Sequence, residues 1–413
     1  MNKEIRAIRG VRDLLPGELK KWRFVEKQAV SIFEAFGFEE IRIPIIEEAG
    51  LFQRSVGLYT DIVEKEMYIF SDKKGRTLAL RPEATAGVVR AYVENRLFDS
   101  QRIQRFYYSG PMFRYDRPQK GRYRQFYQMG VEIFGGATGY YDGELIFLLG
   151  KILSNIGFKD YSFEINSIGC DKCKPAFTGK LSNYLNERIS SFCSDCKIRA
   201  QHNILRVLDC KNNECRQILR DAPGITDFLC EECRHHREEV YKYLAIFSIP
   251  YRETNLVRGL DYYTRTVFEV KIQGDENAVA GGGRYDNLVY QLGGPSTTAV
   301  GFAIGMDRIC ELLENPGKEE ESIWVIFLGE RAFSEGIPII NNLREKNIKT
   351  IVDYDKRSLK NYLKVADRQG IKKVFILGED ELSKRSFLYK DMNNGTQQLI
   401  PFEKIVNILK VNL

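Results

Sequence analysis

Gly110-Pro-Met-Phe-Arg-Tyr-Asp-Arg-Pro-Gln-Lys-Gly-Arg-Tyr-Arg-Gln-Phe-Tyr-Gln128 sets five cations, Arg114, Arg117, Lys120, Arg122 and Arg124, within eleven residues, opposed only by Asp116. Residues 105–109 before it and 125–134 around its end have β character. Pro118 and Gly121 make the middle a loop, so the segment reads as two strands joined by a cationic turn. Guanidinium binds phosphate oxygens through paired, charge-assisted hydrogen bonds, so several cations on one loop suit a triphosphate. On charge alone, a basic surface hairpin accounts for the segment equally well.

Working outward, residues 19–36 repeat apolar side chains at helical spacing and stop at Gly37. Residues 38–46 alternate like a strand, with Pro44 favouring an edge or an end. Further β character lies at 67–70, 77–80 and 266–270, with a turn at Ser71-Asp72-Lys73-Lys74-Gly75. This pattern predicts an α+β domain over residues 1–320, built around an antiparallel sheet. A Cys-rich stretch, about 168–248, interrupts it. That stretch reads as mostly helical, most clearly at 181–189 and 238–246, and strand character resumes beyond it, which marks an insertion. Residues 313–322 combine Pro-Gly with a charge run and read as a linker. From 323 to 413, strands at 324–328, 349–353 and 373–377 alternate with helices, which predicts a small α/β domain with a largely parallel sheet.

The composition is that of a globular protein of two or three domains: 413 residues, 43% hydrophobic and 29% charged. No run reaches the ~18 to 20 apolar residues of a membrane span. The start, Met-Asn-Lys-Glu-Ile-Arg6, leads into no apolar signal run, so a cytoplasmic location is expected. Net charge is +6, and residues 323–413 carry 16 Lys/Arg against 11 Asp/Glu. A module of that balance can meet phosphate backbones, although an ordinary solvated surface fits as well.

Four more segments have chemical character. Arg81-Pro-Glu-Ala-Thr-Ala86 reads first as a helix start, with Pro82 in the first turn and Glu83 favoured by the helix dipole. Leu256-Val-Arg-Gly-Leu-Asp-Tyr-Tyr-Thr264 places Arg258 in an otherwise uncharged run, Asn255 to Leu260, where an unpaired buried cation would be unfavourable. The glycine triplet of Ala280-Gly-Gly-Gly-Arg-Tyr-Asp286 allows close backbone approach to a ligand, but is also common in turns. Val300-Gly-Phe-Ala-Ile-Gly-Met-Asp-Arg-Ile309 runs from a small-residue strand into a helix and sets Arg308 at the junction.

Together with Gly10-Val-Arg-Asp-Leu-Leu-Pro16, these strings stand in the order of the signatures of histidyl-tRNA synthetases, the class II family that the chain resembles over nearly its whole length. The resemblance implies a class II antiparallel-sheet catalytic domain, a helical insertion over the acceptor arm of the tRNA, and a C-terminal anticodon-binding domain. It implies histidine–tRNA ligation in two steps. The carboxylate of L-histidine attacks the α-phosphate of ATP, giving histidyl-adenylate and pyrophosphate, and the terminal ribose hydroxyl of tRNA(His) then attacks the activated carbonyl, releasing AMP. By carry-over, Arg114 and Arg258 grip the α-phosphate and are the catalytic pair. Asp116 lies near the adenine, and Arg308 near the γ-phosphate or adenine. Glu83, Ala84, Thr85, Gln128, Glu132, Tyr262 and Tyr263, with Arg114 and Arg258, form the histidine pocket. Gln119, Lys120 and Arg122 face tRNA. Mg2+ is expected on the ATP phosphates, with ligands that sequence does not identify, and a homodimer is expected through residues 38–44. Ala84 stands where relatives often have Gly, Tyr127 where many have His, and Asp307 where most have Glu.

The rival reading is the regulatory paralogue that partners ATP phosphoribosyltransferase in histidine biosynthesis, a non-catalytic module on the same fold. It generally lacks the C-terminal domain and parts of the Arg258 and Gly281–Tyr285 signatures, all kept here. A synthetase-like tRNA sensor without catalysis is a second alternative.

Eight of nine cysteines lie between Cys170 and Cys233. Cys170/Cys173 and Cys193/Cys196 have zinc-ribbon spacing, which leaves Cys210, Cys215, Cys230 and Cys233 as a second set, with His235 or His236 as alternative ligands. The spacing leaves structural Zn2+ and plain buried thiols both open.

Overall fold

The computed structural model describes residues 4–100, 102–116, 121–275, 277–314, 323–353 and 358–405. Gln119 and Lys120 of the cationic loop and most of the expected linker lie outside them. The chain divides into two compact units, Met1–Pro316 and Gly317–Leu413.

The first unit is organised by an eight-stranded sheet. Its strands run in the order Glu39–Glu40, Gln104–Phe113, Gln125–Phe134, Ala299–Gly305, Ala280–Arg284, Thr264–Ile272, Tyr161–Ser167, Tyr251–Glu253. The central pairings are antiparallel, and the two outer strands Glu39–Glu40 and Tyr251–Glu253 pair in parallel. The two strands flanking the cationic loop pair over ten residues, from Gln104 opposite Phe134 to Phe113 opposite Gln125.

Side chains alternate across a strand, so this register sorts each residue to one face. Met129, Val131 and Ile133 join Phe302, Ile304, Phe163 and Phe268 on the apolar face. There they pack against the helices Pro16–Ala35 and Gly139–Ile156. Pro16 supplies the fixed φ of a first turn, and Trp22, Val25, Ala29 and Phe33 recur at helical spacing as the buried stripe. Val25 and Phe33, both fully buried, contribute roughly 1.5–3 kcal/mol each. The second helix stops at Gly157, whose φ of 109° suits glycine.

Residues 38–46, expected as one strand, divide between two sheets. Glu39–Glu40 joins the large sheet, while Ile46–Glu48 pairs with Thr77–Leu80 in a three-stranded sheet completed by Ile69–Ser71. Pro44 between them has no N–H to donate to a ladder, so the chain changes sheets there. The insertion is helical as expected, through Lys174–Asn186, Ser194–His202, Asn213–Leu219 and Glu231–Ile246. Its last helix starts earlier than the 238–246 periodicity, because Glu231 and Glu232 favour a first turn.

The second unit holds a five-stranded sheet ordered Thr350–Asp353, Ile323–Phe327, Lys373–Leu377, Ser386–Asp391, Gln397–Pro401. The first three strands are parallel, but the last two are antiparallel, so the sheet is mixed rather than largely parallel. Ile323–Phe327 is buried at every position and reads plainly as an apolar run. Gln397–Pro401 is mostly exposed and carries no such signal.

Candidate active site

Opposite the helices, the large sheet presents a shallow trough. Gly110, Gly130, Gly301, Ala303, Gly281 and Gly283 fall on this face, because they oppose one another or Gln128 and Glu132 in register. Small residues leave room for side chains to lie flat across the strands. A Cβ on Gly301 would overlap the Glu132 carboxylate, and one on Gly281 would come within 2.6 Å of Arg258 Nη1. The glycines carry no chemistry themselves; they make space for the groups that do.

Glu132 sits in the trough with 1% exposure. Its Oε1 accepts from Thr85 Oγ1 at 2.7 Å, and its Oε2 accepts from the hydroxyl of Tyr285. No Lys or Arg pairs with it among the described residues. Burial therefore pushes its carboxyl up to about 8, against the pull of Tyr285 and Thr85. Tyr108, Tyr262, Tyr263 and Tyr285 are all buried around it, with the rings of Tyr262 and Tyr263 4.7 Å apart. Gln128 stands on the same strand face, and its side-chain Oε1 is buried with no partner. A buried acceptor left open costs about 1–3 kcal/mol unless a ligand fills it.

Glu83 closes one end of the pocket. Its two oxygens accept from the backbone N–H groups of Thr85 and Ala86 at 2.7 and 2.9 Å, capping the helix Thr85–Glu94. Burial raises its carboxyl as well. A helix does start in this segment, but at Thr85, so Pro82 precedes the first turn instead of standing in it; the two bonds from Glu83 fix the helix start, whose Thr85 donates to Glu132. Ala84 is buried and packs in the apolar cluster with Tyr108 and Tyr262.

Two guanidiniums border the pocket under opposite conditions. Burial alone would lower Arg258, but Glu269, which accepts from its Nη1, outweighs that and holds it charged. Arg114 donates from Nε to the carbonyl of Pro82 at 2.9 Å and lies 5.3 Å over the Phe126 ring. Among the described residues no carboxylate pairs with Arg114, and burial lowers its pKa. It is the cation best placed to gain from an incoming anion. Asp116 receives Arg122 at 3.3 Å, and Arg308 grips both oxygens of Asp275 at 2.7 Å.

Two departures from the family pattern have structural explanations. Tyr127 falls on the helix side of its strand, edge-on to Trp22 with centroids 5.1 Å apart, so it does not enter the trough. Asp307 accepts from the backbone N–H of Tyr127 at 2.9 Å and from Arg12 at 3.2 Å, tying the Gly10–Pro16 stretch to the sheet.

Sequence reading missed several residues. Glu269 was legible as the one acid that alternation puts on the trough face of Thr264–Ile272. Tyr108 and Tyr285 carried no local signal. Arg81 is buried and donates to the carbonyls of Pro111 and Ile43 at 2.9 and 2.8 Å, a structural role. Arg284 is fully buried in a network with Asp142, which also meets His236 Nε2 at 3.3 Å.

A family model described as Histidyl-tRNA synthetase matches residues 10–170 and 210–309, and one described as Anticodon binding domain matches 322–412. The chain is 46% identical over 409 residues to "Histidine--tRNA ligase" of Thermodesulfovibrio yellowstonii, covering 98% of this chain and 97% of that protein. It is 46% identical to the protein of the same description from Aquifex aeolicus over 402 residues, 97% of this chain and 100% of that protein. Among solved structures, apo S. aureus histidyl-tRNA synthetase superposes with a TM-score of 0.81 at 36% identity, covering 98% of this chain and all of that one.

Proposed function

The chain belongs to the histidyl-tRNA synthetase family, and from that premise we infer that it activates L-histidine with ATP and transfers it to tRNA. It is an enzyme of ligation rather than the regulatory module, since full-length relatives described as ligases match it throughout. The observation that carries the reading at the level of residues is the pocket around Glu132. It is a buried carboxyl among hydroxyls, beside an unpartnered Gln128 oxygen and two guanidiniums.

The roles follow from the chemistry of the two ends of histidine. Imidazole offers two ring nitrogens, and Glu132 with the Tyr262 and Tyr263 hydroxyls offers donors and acceptors to both. A site that satisfies both nitrogens rejects near-isosteres, because they would leave buried groups unpaired. Glu83, Thr85 and Gln128 supply oxygens for the ammonium group. Ala84 lines the pocket, where a methyl is compatible with this buried packing.

Arg258 and Arg114 then face the carboxylate and the α-phosphate. The nucleophile is already an anion, so the first step requires no base, only two reactants held in line and compensation of charge building at phosphorus. A fixed guanidinium on each side provides that compensation. Arg308, with Asp116, is assigned to the nucleotide. The three histidines all lie in the insertion, which fits a transfer step in which a phosphate oxygen of the substrate accepts the ribose proton. Mg2+, which screens phosphate charge when bound, would be held chiefly by phosphate oxygens and water. No trio of Asp or Glu converges on one point among the described residues.

We assign catalysis to residues 1–320, with the 168–248 insertion as a clamp on tRNA, and anticodon recognition to 323–413. A homodimer is proposed as well. Ile46 and Phe70, exposed by 50% and 40%, share one face of the three-stranded sheet by register and form apolar area that a second copy would cover. No helix among the described residues is long and apolar enough to cross a membrane, and the nine free cysteines favour a reducing, cytoplasmic setting.

The test is histidine-dependent exchange of pyrophosphate into ATP, with Arg258→Ala as control, followed by charging of tRNA(His). Exchange specific to histidine and lost in the control is expected. Exchange no greater than in the control would overturn the assignment.

A further inference from the structure

The eight insertion cysteines meet in two quartets, and the grouping differs from the one that sequence spacing implied. Cys170 and Cys173 meet Cys230 and Cys233, while Cys193 and Cys196 meet Cys210 and Cys215. The pairs are nested, outer with outer and inner with inner. His235 and His236 belong to neither quartet.

Within each quartet all four Sγ atoms lie within 4.8 Å of one another. Cys170 Sγ is 3.7 Å from Cys173 Sγ and 3.9 Å from Cys230 Sγ, and Cys193 Sγ is 3.9 Å from Cys210 Sγ. Thiolates on a tetrahedral ion with bonds of about 2.3 Å stand about 3.8 Å apart. Disulfide sulfurs would stand at about 2.05 Å. A polynuclear iron–sulfur cluster would hold its cysteines further apart than these, so the spacing fits one ion per quartet. Backbone N–H groups also point at the sulfurs, from Cys230 to Cys173 Sγ at 3.2 Å and from Cys193 to Cys215 Sγ at 3.3 Å. Such bonds stabilise sulfur as thiolate and orient it as a ligand.

The inner quartet lies where ordinary burial is weakest. The nine-residue helix Ser194–His202 buries a single side chain, Cys196, and the seven-residue helix Asn213–Leu219 buries only Cys215 and Leu219. Helices this short are not stable alone. The first of them and the turn that follows it nonetheless carry a specific load. Arg199 and Arg206 reach Asp61 at 3.2 and 3.1 Å, and Asn203 donates to Asp261 at 2.7 Å. Asp261 stands between Arg258 and Tyr262, so this piece of the insertion braces the loop that carries the histidine signature. The outer quartet ties the place where the chain leaves the strand Tyr161–Ser167 to the start of the helix Glu231–Ile246, where it returns. The family match passes over residues 171–209, which hold three of the eight ligands.

We propose that each quartet is a structural tetrathiolate Zn2+ site. The outer ion closes the neck of the insertion, and the inner ion holds its short helices against the Asp61 and Asp261 loops. Four sulfurs with no open position suit zinc in a structural rather than a catalytic role.

Metal analysis of the full chain, purified without chelator and without a histidine tag, is expected to give about two zinc per chain. X-ray absorption should show only sulfur neighbours at about 2.3 Å. Cys193→Ser with Cys210→Ser should leave about half the zinc and raise KM for histidine roughly tenfold with KM for ATP unchanged. Should that variant fail to fold, cobalt exchanged into the unmodified protein should give the visible bands of tetrahedral sulfur ligation. Zinc below about half an ion per chain, iron in its place, or fewer than nine thiols titrating in the unfolded, chelated protein would overturn the proposal.

Discussion

Glu269 holds the guanidinium of Arg258 in a direct ion pair, and both side chains remain about one-fifth exposed, at 21% and 20%. Arg258 is thereby charged and held in place by its partner. Arg258→Ala should lower histidine-dependent exchange by about 10²- to 10³-fold, the scale for losing one charge-stabilising group. It also strands Glu269, so a stability loss of about 3–5 kcal/mol accompanies it. Adding Glu269→Gln should restore much of that stability without restoring exchange. Exchange recovering with the melting temperature would show that Arg258 acts only through folding.

Gly281 tests the same pair from the floor of the trough. A Cβ there would stand 2.6 Å from Arg258 Nη1 and 2.9 Å from Cζ, so the guanidinium must shift. Gly281→Ala should lower kcat/KM for histidine about tenfold, the effect of misplacing a reacting group. Steady-state exchange at varied histidine checks this, with ATP saturation as the control that should not move.

Glu132, raised to about 8 by burial, is protonated in the folded chain over a range where the unfolded chain has ionised it. Between about pH 4.5 and 8 the folded state therefore binds more protons, and stability falls as pH rises. Glu132→Gln removes that titration. Its denaturant midpoint should decline less than that of the unmodified chain from pH 5 to 8, while histidine binding weakens by about 10- to 100-fold. Parallel pH profiles for the two proteins would exclude Glu132 as the titrating group.

Much of this was legible in the sequence, for identifiable reasons. The pairing of Gln104–Phe113 with Gln125–Phe134 follows from alternation on either side of a Pro/Gly loop, and the register then carries Gln128 and Glu132 to one face. Partners distant in sequence were not legible. Tyr285 lies 153 residues from Glu132, so only the folded sheet brings them together. The cysteine grouping was misread for the same reason. Spacing favours neighbouring pairs, whereas the insertion folds back so that Cys170 meets Cys230 across 60 residues. The 386–401 hairpin escaped because its outer strand is solvated and lacks an apolar run.

Arg308 and Asp275 give a test confined to the nucleotide. Asp275 holds Arg308 through both oxygens at 2.7 Å, so Asp275→Asn should loosen the guanidinium without removing it. KM for ATP is expected to rise several-fold in Asp275→Asn and about tenfold or more in Arg308→Ala, the scale of a charge-assisted contact. KM for histidine should stay within about twofold in both. A larger effect on histidine than on ATP would reassign Arg308.

Asp142 is fully buried between Arg284 and His236, behind the glycine strand rather than in the pocket. Burial alone would raise its carboxyl, but Arg284 and then His236 outweigh that and hold it well below the usual carboxylate range. The unfolded chain therefore binds a proton at Asp142 before the folded chain does. Stability from this group is present above the unfolded value near pH 4 and is lost as pH falls through the folded one. Asp142→Asn leaves Arg284 buried without its partner and should cost about 3–5 kcal/mol at neutral pH. Because the advantage of the unmodified chain fades in acid, the gap between the two unfolding curves should narrow steadily below about pH 4. Glu132→Gln predicts a difference that instead grows toward alkaline pH, so urea unfolding of both variants from pH 3 to 8 separates the two buried carboxyls. A gap for Asp142→Asn that stayed constant into acid would mean its effect is one of packing, and that Arg284 finds its compensation in the carbonyls of Gly136 and Thr138, at 2.8 and 3.2 Å.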